Sequence, residues 1–133
     1  MITLDTSAVL ALLNEGDPDH GRTREALRAD RGPFLVPAGI LSELAYMLEN
    51  WVRPQLVVRL LNDLETGTYS LDCGEVDLPR IGELVQRYAD LPLGFADAAV
   101  IACAERNGGR VLTLDVRDFG VVAHEGTIRL LPD

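Results

Sequence analysis

Short apolar runs alternate with amphipathic segments along the whole chain, and this alternation limits the fold more than any other feature. "ITLD" (2–5), "FLVP" (34–37), "YSLDC" (69–73), "RVLTLD" (110–115) and "TIRLL" (127–131) have strand length and strand composition. Between them, residues 6–14, 17–30, 38–51, 53–67, 78–90 and the stretch from 94 onward have helical spacing. The clearest is 53–67, where Leu56, Val57, Leu60, Leu61 and Leu64 form one stripe. Strands alternating with helices predict an α/β fold, a mostly parallel sheet covered on both faces. Its 133 residues suit one domain spanning 1–133.

Charge and composition narrow the chemistry. The net charge is −9, which excludes a simple nucleic-acid-coating protein. All 12 positive side chains are arginine; there is no lysine. No apolar run approaches a membrane span, and "MITLD" has no basic region of a signal peptide, so a cytoplasmic location is expected. Cys73 and Cys103 form no CxxC and read as reduced, buried fillers. His20 and His124 are isolated.

Within "GFADAAVIACAERNGG" (94–109), Asp97 lies on a helix that is apolar nearly all round. Val100, Ile101 and Ala104 fall within about 60° of it at 100° per residue. An unpaired carboxylate there costs several kcal/mol. Three other acids are expected at the same sheet edge. Asp5 closes the first strand and Asp115 closes "RVLTLD"; Glu43 lies in the helix that follows "FLVP". In parallel sheets sites form beyond the carboxyl ends of the strands, so the four acids converge from four separate segments. Each also has an ordinary structural reading. Asp5 is placed to cap a helix, and Asp97 to favour a first helical turn. Glu43 is placed to pair with an arginine, and Asp115 to begin an Asx turn. No cationic residue lies within four positions of Asp5 or Glu43, and a divalent cation would satisfy all four acids. Mg²⁺ and Mn²⁺ favour such oxygen ligands, and one or two ions would support phosphodiester hydrolysis by an activated water. The sequence offers no convincing Ser–His–Asp or Cys–His set.

"LDTSAVLALL", "SEL" (42–44), "LPLGFADAAVIACAERNG" and "LTLDVRDFG", in this order, resemble the PIN-domain ribonucleases and are most similar to the VapC toxins. The resemblance spans essentially the whole chain. It implies a three-layer α/β/α sandwich and a Mg²⁺- or Mn²⁺-dependent endoribonuclease acting on structured RNA, a tRNA or an rRNA. It places the family's four acids at Asp5, Glu43, Asp97 and Asp115, and its site hydroxyl, expected to hold a water or a metal-bound ligand, at Thr6. Asp118 is similar to a further acid near the site, and it also reads as a brace for its loop. A homodimer and a VapB-like antitoxin whose C-terminal segment blocks the site are implied as well.

Arg24, Arg28 and Arg31 share one helix face and are candidate phosphate contacts; their ordinary reading is a solvated face paired with Glu25 and Asp30. The Leu56–Leu64 stripe reads as core or as part of a partner groove. Among other classes, a haloacid-dehalogenase-type phosphatase needs an Asp where Ser7 stands. Receiver domains and P-loop proteins need a lysine. The remaining alternatives are a non-catalytic PIN-like binding module and a PIN nuclease acting on another nucleic acid.

Overall fold

The computed structural model describes residues 1–132. Five short strands, β1 (Ile2–Leu4), β2 (Phe34–Pro37), β3 (Ser70–Asp72), β4 (Arg110–Leu112) and β5 (Arg129–Leu131), form one sheet in the order β3-β2-β1-β4-β5. Every pairing is parallel, with Thr3 opposite Val111 and Leu4 opposite Leu112. The chain builds outward from β1 through β2 to β3. It then crosses back and builds the other way through β4 and β5. The reversal falls between β1 and β4, where a crevice opens beyond the strand ends.

Seven α-helices accompany the sheet: α1 (Thr6–Leu13), α2 (His20–Arg28), α3 (Leu41–Met47), α4 (Gln55–Glu65), α5 (Leu78–Arg87), α6 (Phe95–Arg106) and α7 (Val116–Ala123). Their apolar sides and β1 share a core that includes Leu4, Val9, Leu44, Leu60, Ile101 and Leu112. Among the described residues no helix is long and apolar enough to cross a membrane.

α6 is the central helix. Residues 98–104 are all buried, and its many alanines let it lie close to β1, β4 and the turn that leads into α3. The closest approach is at Gly39. A Cβ there would sit 2.8 Å from the Cβ of Ala99 and 3.2 Å from Cε1 of Phe95. Only a glycine lets the segment carrying Glu43 rest on the helix carrying Asp97.

Several boundaries depart from the sequence expectation. The helix expected over 38–51 is a 3₁₀ turn (Ala38–Ile40), α3, and a π turn (Leu48–Val52). It stops because Arg53, preceding Pro54, is extended, as the proline ring requires of its neighbour. The helix expected from 17 begins at His20, since Asp17 accepts from the Asp19 N–H at 2.8 Å in an Asx turn. The fourth strand ends at Leu112, and α7 was not expected at all. Its apolar content is only Phe119 and Val122 on the buried side, and Gly120 lies in its middle, too little periodicity to distinguish it from a loop. Of the α4 stripe, Leu56 and Leu60 are buried, whereas Leu61 is 55% exposed. Cys103 is buried, but Cys73 is exposed, contrary to its reading as a filler; both are free thiols.

Candidate active site

Asp5 follows β1 directly. Its N–H donates to Leu112 O at 3.0 Å, locking the end of β1 to the end of β4. Its carbonyl accepts from Val9 N–H at 3.1 Å, so it occupies the cap position of α1. The side chain makes no capping bond. Instead Oδ2 accepts from Ser7 Oγ at 2.9 Å and from Thr113 Oγ1 at 2.8 Å. Ser7 Oγ also accepts from Leu114 N–H at 3.0 Å, and Thr113 Oγ1 from Asp115 N–H at 3.0 Å. The two hydroxyls thus fix the first acid to the loop that presents the fourth.

Asp115 begins α7, and its Oδ1 accepts from Asp118 N–H at 3.3 Å. It both starts a turn and lines the cleft. Glu43 stands in the first turn of α3. It is exposed, and it pairs with no arginine among the described residues. Its Oε2 accepts from Thr6 Oγ1 at 3.1 Å. Thr6, expected to hold a water or a ligand, therefore steadies Glu43. Asp97 lies in the first turn of α6, half-buried, with no protein hydrogen-bond donor among the described residues.

All four acids line one open cleft of about 270 Å³, together with Thr6, Ser7, Leu10 and Met47. Asp118 lies outside that lining, in the first turn of α7, yet its charge reaches Asp97. Among the described residues no cationic side chain lines the cleft. The electrostatic consequence is large. Burial, and then the charges of Asp5, Asp115, Glu43 and Asp118, push Asp97 up to about 7. Burial also raises Asp5, against the lowering effect of its bonds from Thr113, Ser7 and the Thr6 backbone.

A divalent cation suits this donor set. Asp5, Glu43 and Asp115 each have one oxygen tied to the protein by the bonds above and keep the other without a side-chain donor. Among the described residues no three acids close into a ready-made cage.

Sequence reasoning missed Ser7 and Thr113 as parts of the site. Their signal was a hydroxyl residue two positions from an acid in both "DTS" and "TLD". Arg24, Arg28 and Arg31, the candidate phosphate contacts, are not at the acid cleft. Arg24 and Arg28 line a separate concavity beside α1 and α4, and Arg31 is exposed in the loop before β2. Arg28 faces Glu25 at 3.7 Å as expected, whereas Asp30 pairs with Arg110 at 2.5 Å instead.

A parallel sheet with four carboxylates at its switch point suits divalent-metal chemistry on a phosphodiester. The PIN domain family model matches residues 2–125. Ribonuclease VapC26 of Mycobacterium tuberculosis is 31% identical over 121 residues, covering 90% of each chain. The chain therefore belongs to the PIN-domain family and is VapC-like along nearly its whole length. Solved structures share the fold. VapC20 of Mycobacterium tuberculosis, described as a sarcin-ricin loop cleaving toxin, superposes with a TM-score of 0.80 at 20% identity, over 91% of this chain and 95% of its own. FitAcB from Neisseria gonorrhoeae does so with 0.65 at 19% identity, over 99% and 97%.

Proposed function

We propose that this chain is the toxin of a toxin–antitoxin pair, a Mg²⁺- or Mn²⁺-dependent endoribonuclease that hydrolyses phosphodiester bonds in a structured RNA. The observation that carries this reading is the convergence of Asp5, Glu43, Asp97 and Asp115 on one cleft that no cation lines, in a chain related throughout to VapC ribonucleases. Asp5, Asp97, Asp115 and Glu43 would hold one or two ions. When bound, the metal supplies positive charge to the scissile phosphate and acidifies a water.

The protein's own part is positional. Ser7 and Thr113 hold Asp5 Oδ2, Thr6 holds Glu43 Oε2, and the α7 backbone holds Asp115 Oδ1. Each keeps its remaining oxygen for the cleft. Burial and the surrounding carboxylates raise the proton affinity of Asp97 to about 7, which fits it to accept a proton from the attacking water. A basic antitoxin segment suits the acidic cleft. Tyr46, Trp51, Val58 and Leu61, 55–70% exposed on α3, the π turn and α4, offer apolar surface to an antitoxin or to the second subunit of a homodimer.

The test is cleavage of total cellular RNA by purified, antitoxin-free protein, with new 5′ ends mapped by sequencing. A few sharp sites that need Mn²⁺ or Mg²⁺ and vanish with chelator and with Asp97→Asn are expected. Folded protein that makes no metal-dependent cut would overturn the proposal in favour of a binding module or a different nucleic-acid substrate.

A further inference from the structure

The acid cleft leaves a problem unsolved. RNA carries a dense negative charge, and the edge of the sheet that would cut it presents carboxylates. At the opposite edge the charge reverses. A concavity of about 320 Å³ is bounded by α1, α2 and α4, and Arg24, Arg28, Arg59 and His20 line it against a single acid, Glu15. Its place in the fold is fixed by two other lining residues. Leu12 is near the far end of α1, and Tyr69 immediately precedes β3.

Four other arginines of the chain are already committed to carboxylates. Arg80, Arg87, Arg106 and Arg110 are each hydrogen-bonded to a carboxylate at 2.5–2.9 Å. Arg28 and Arg59 only face Glu25 and Asp63, at 3.7 and 3.9 Å, beyond hydrogen-bonding distance. Arg24 makes no ion pair among the described residues. The donors of all three remain available, on side chains gathered around one hollow. His20 is anchored beside them by the contact of Nδ1 with Ala11 O at 2.7 Å, which places the proton on Nδ1 because a carbonyl only accepts. Planar guanidinium groups match phosphate oxygens in a two-pronged geometry.

We infer that this concavity is a phosphate-binding site that holds the backbone of the RNA whose cleavage is proposed for the acid cleft, an inference that rests on that ribonuclease reading. Arg24, Arg28 and Arg59 are binding residues there, and Arg31 is not. α1 connects the two edges. Its eight residues span about 12 Å, so an RNA engaged at both places needs at least about four nucleotides at ~3.4 Å each. An acidic peptide has similar charge. RNA is favoured because the proposed reaction needs a positive surface for a polyphosphate substrate and its own cleft has none.

The test measures binding without cleavage. A fluorescent 20-nucleotide polyuridylate is titrated into the Asp97→Asn protein in chelator, with and without Arg24→Ala, Arg28→Ala and Arg59→Ala together. At 0.1 M salt the triple variant should bind at least tenfold more weakly. The slope of log K against log salt should fall by about two, as expected for three lost single-strand phosphate contacts. The corresponding triple lysine variant should keep most of the slope, and circular dichroism should match the parent for both. Unchanged polyuridylate affinity and slope would overturn the inference. So would polyuridylate binding that is unaffected while binding of poly-glutamate or of inorganic phosphate is lost, which would assign the hollow to an acidic protein segment or to a free anion. Should the protein cut no RNA with any divalent ion while the slope still falls, the ribonuclease reading fails and the phosphate site stands.

Discussion

Replacing Asp97 with asparagine should make the metal-free protein more stable at neutral pH, although it should abolish cleavage. The folded state holds the Asp97 proton with a pKa of about 7, against 3.8 for an ordinary aspartate. The raised value means that folding binds this proton more tightly, so the associated stability is complete below pH 4 and is lost as pH rises through 7. A shift of about three units corresponds to ~4 kcal/mol. Asp97 is only half-buried in an open cleft, and solvent screening reduces this to about 2 kcal/mol. For 133 residues, an unfolding entropy of ~2.1 cal/mol/K per residue converts 2 kcal/mol into a rise in Tm of about 7 °C. The assay is thermal or urea denaturation of both proteins in chelator, from pH 4 to pH 8. The gap should be absent near pH 4, open between pH 4 and 7, and stay constant above. Saturating Mn²⁺ should narrow or reverse it, because only the parent keeps the full ligand set. An asparagine variant no more stable than the parent at pH 8 in chelator would refute the account of mutual repulsion at this cleft.

Removing the supports of Asp5 should have the opposite sign. Thr113→Val takes a donor at 2.8 Å from a buried carboxylate, costing about 1.5–3 kcal/mol at pH 7; urea unfolding should show it, together with reduced RNA cleavage. Gly39→Ala should cost about 1–3 kcal/mol through overpacking and lower cleavage, since the added methyl meets Ala99 at 2.8 Å and displaces the segment carrying Glu43. Gly82→Ala is the control, in a helix with nothing within 4 Å, and should stabilise by about 0.5–1 kcal/mol. Mn²⁺ at 100 times its Kd should stabilise the parent by ~2.7 kcal/mol, read as a rise in Tm that chelator reverses. Arg106→Leu should destabilise by more than any exposed arginine replacement. Its guanidinium bridges Asp72 at 2.6 Å and Asp77 at 2.8 Å, and it would leave the buried Asp77 without its partner.

The sheet and the acids were legible because they rest on strong local signals. Buried parallel strands read as short apolar runs, and β1, β2 and β4 were found that way. The strand-end positions then put Asp5 and Asp115 on one edge before any contact was known. What stayed hidden is tertiary. α7 has two buried apolar side chains, so periodicity could not announce it; its clearest mark is the Asp115 cap on Asp118. Ser7 and Thr113 are ordinary residues until the fold brings positions 106 apart in sequence within reach of one carboxylate. Arg24 and Arg28 do line one concavity, as their spacing implied, whereas Arg31 falls beyond the end of α2, and a helical wheel cannot say which edge of a sheet a face adjoins.

The strand order β3-β2-β1-β4-β5 also divides the machinery. Asp5 and Glu43 belong to the half of the chain that builds β1 and β2. Asp97 and Asp115 belong to the half that supplies α6, β4 and α7. Cut at the exposed loop 66–68 between α4 and β3, the polypeptide would give two fragments with two acids each. Neither fragment alone holds the site. Activity belongs to the seam, so a cell could carry both pieces apart and gain the assembled cleft only when they dock.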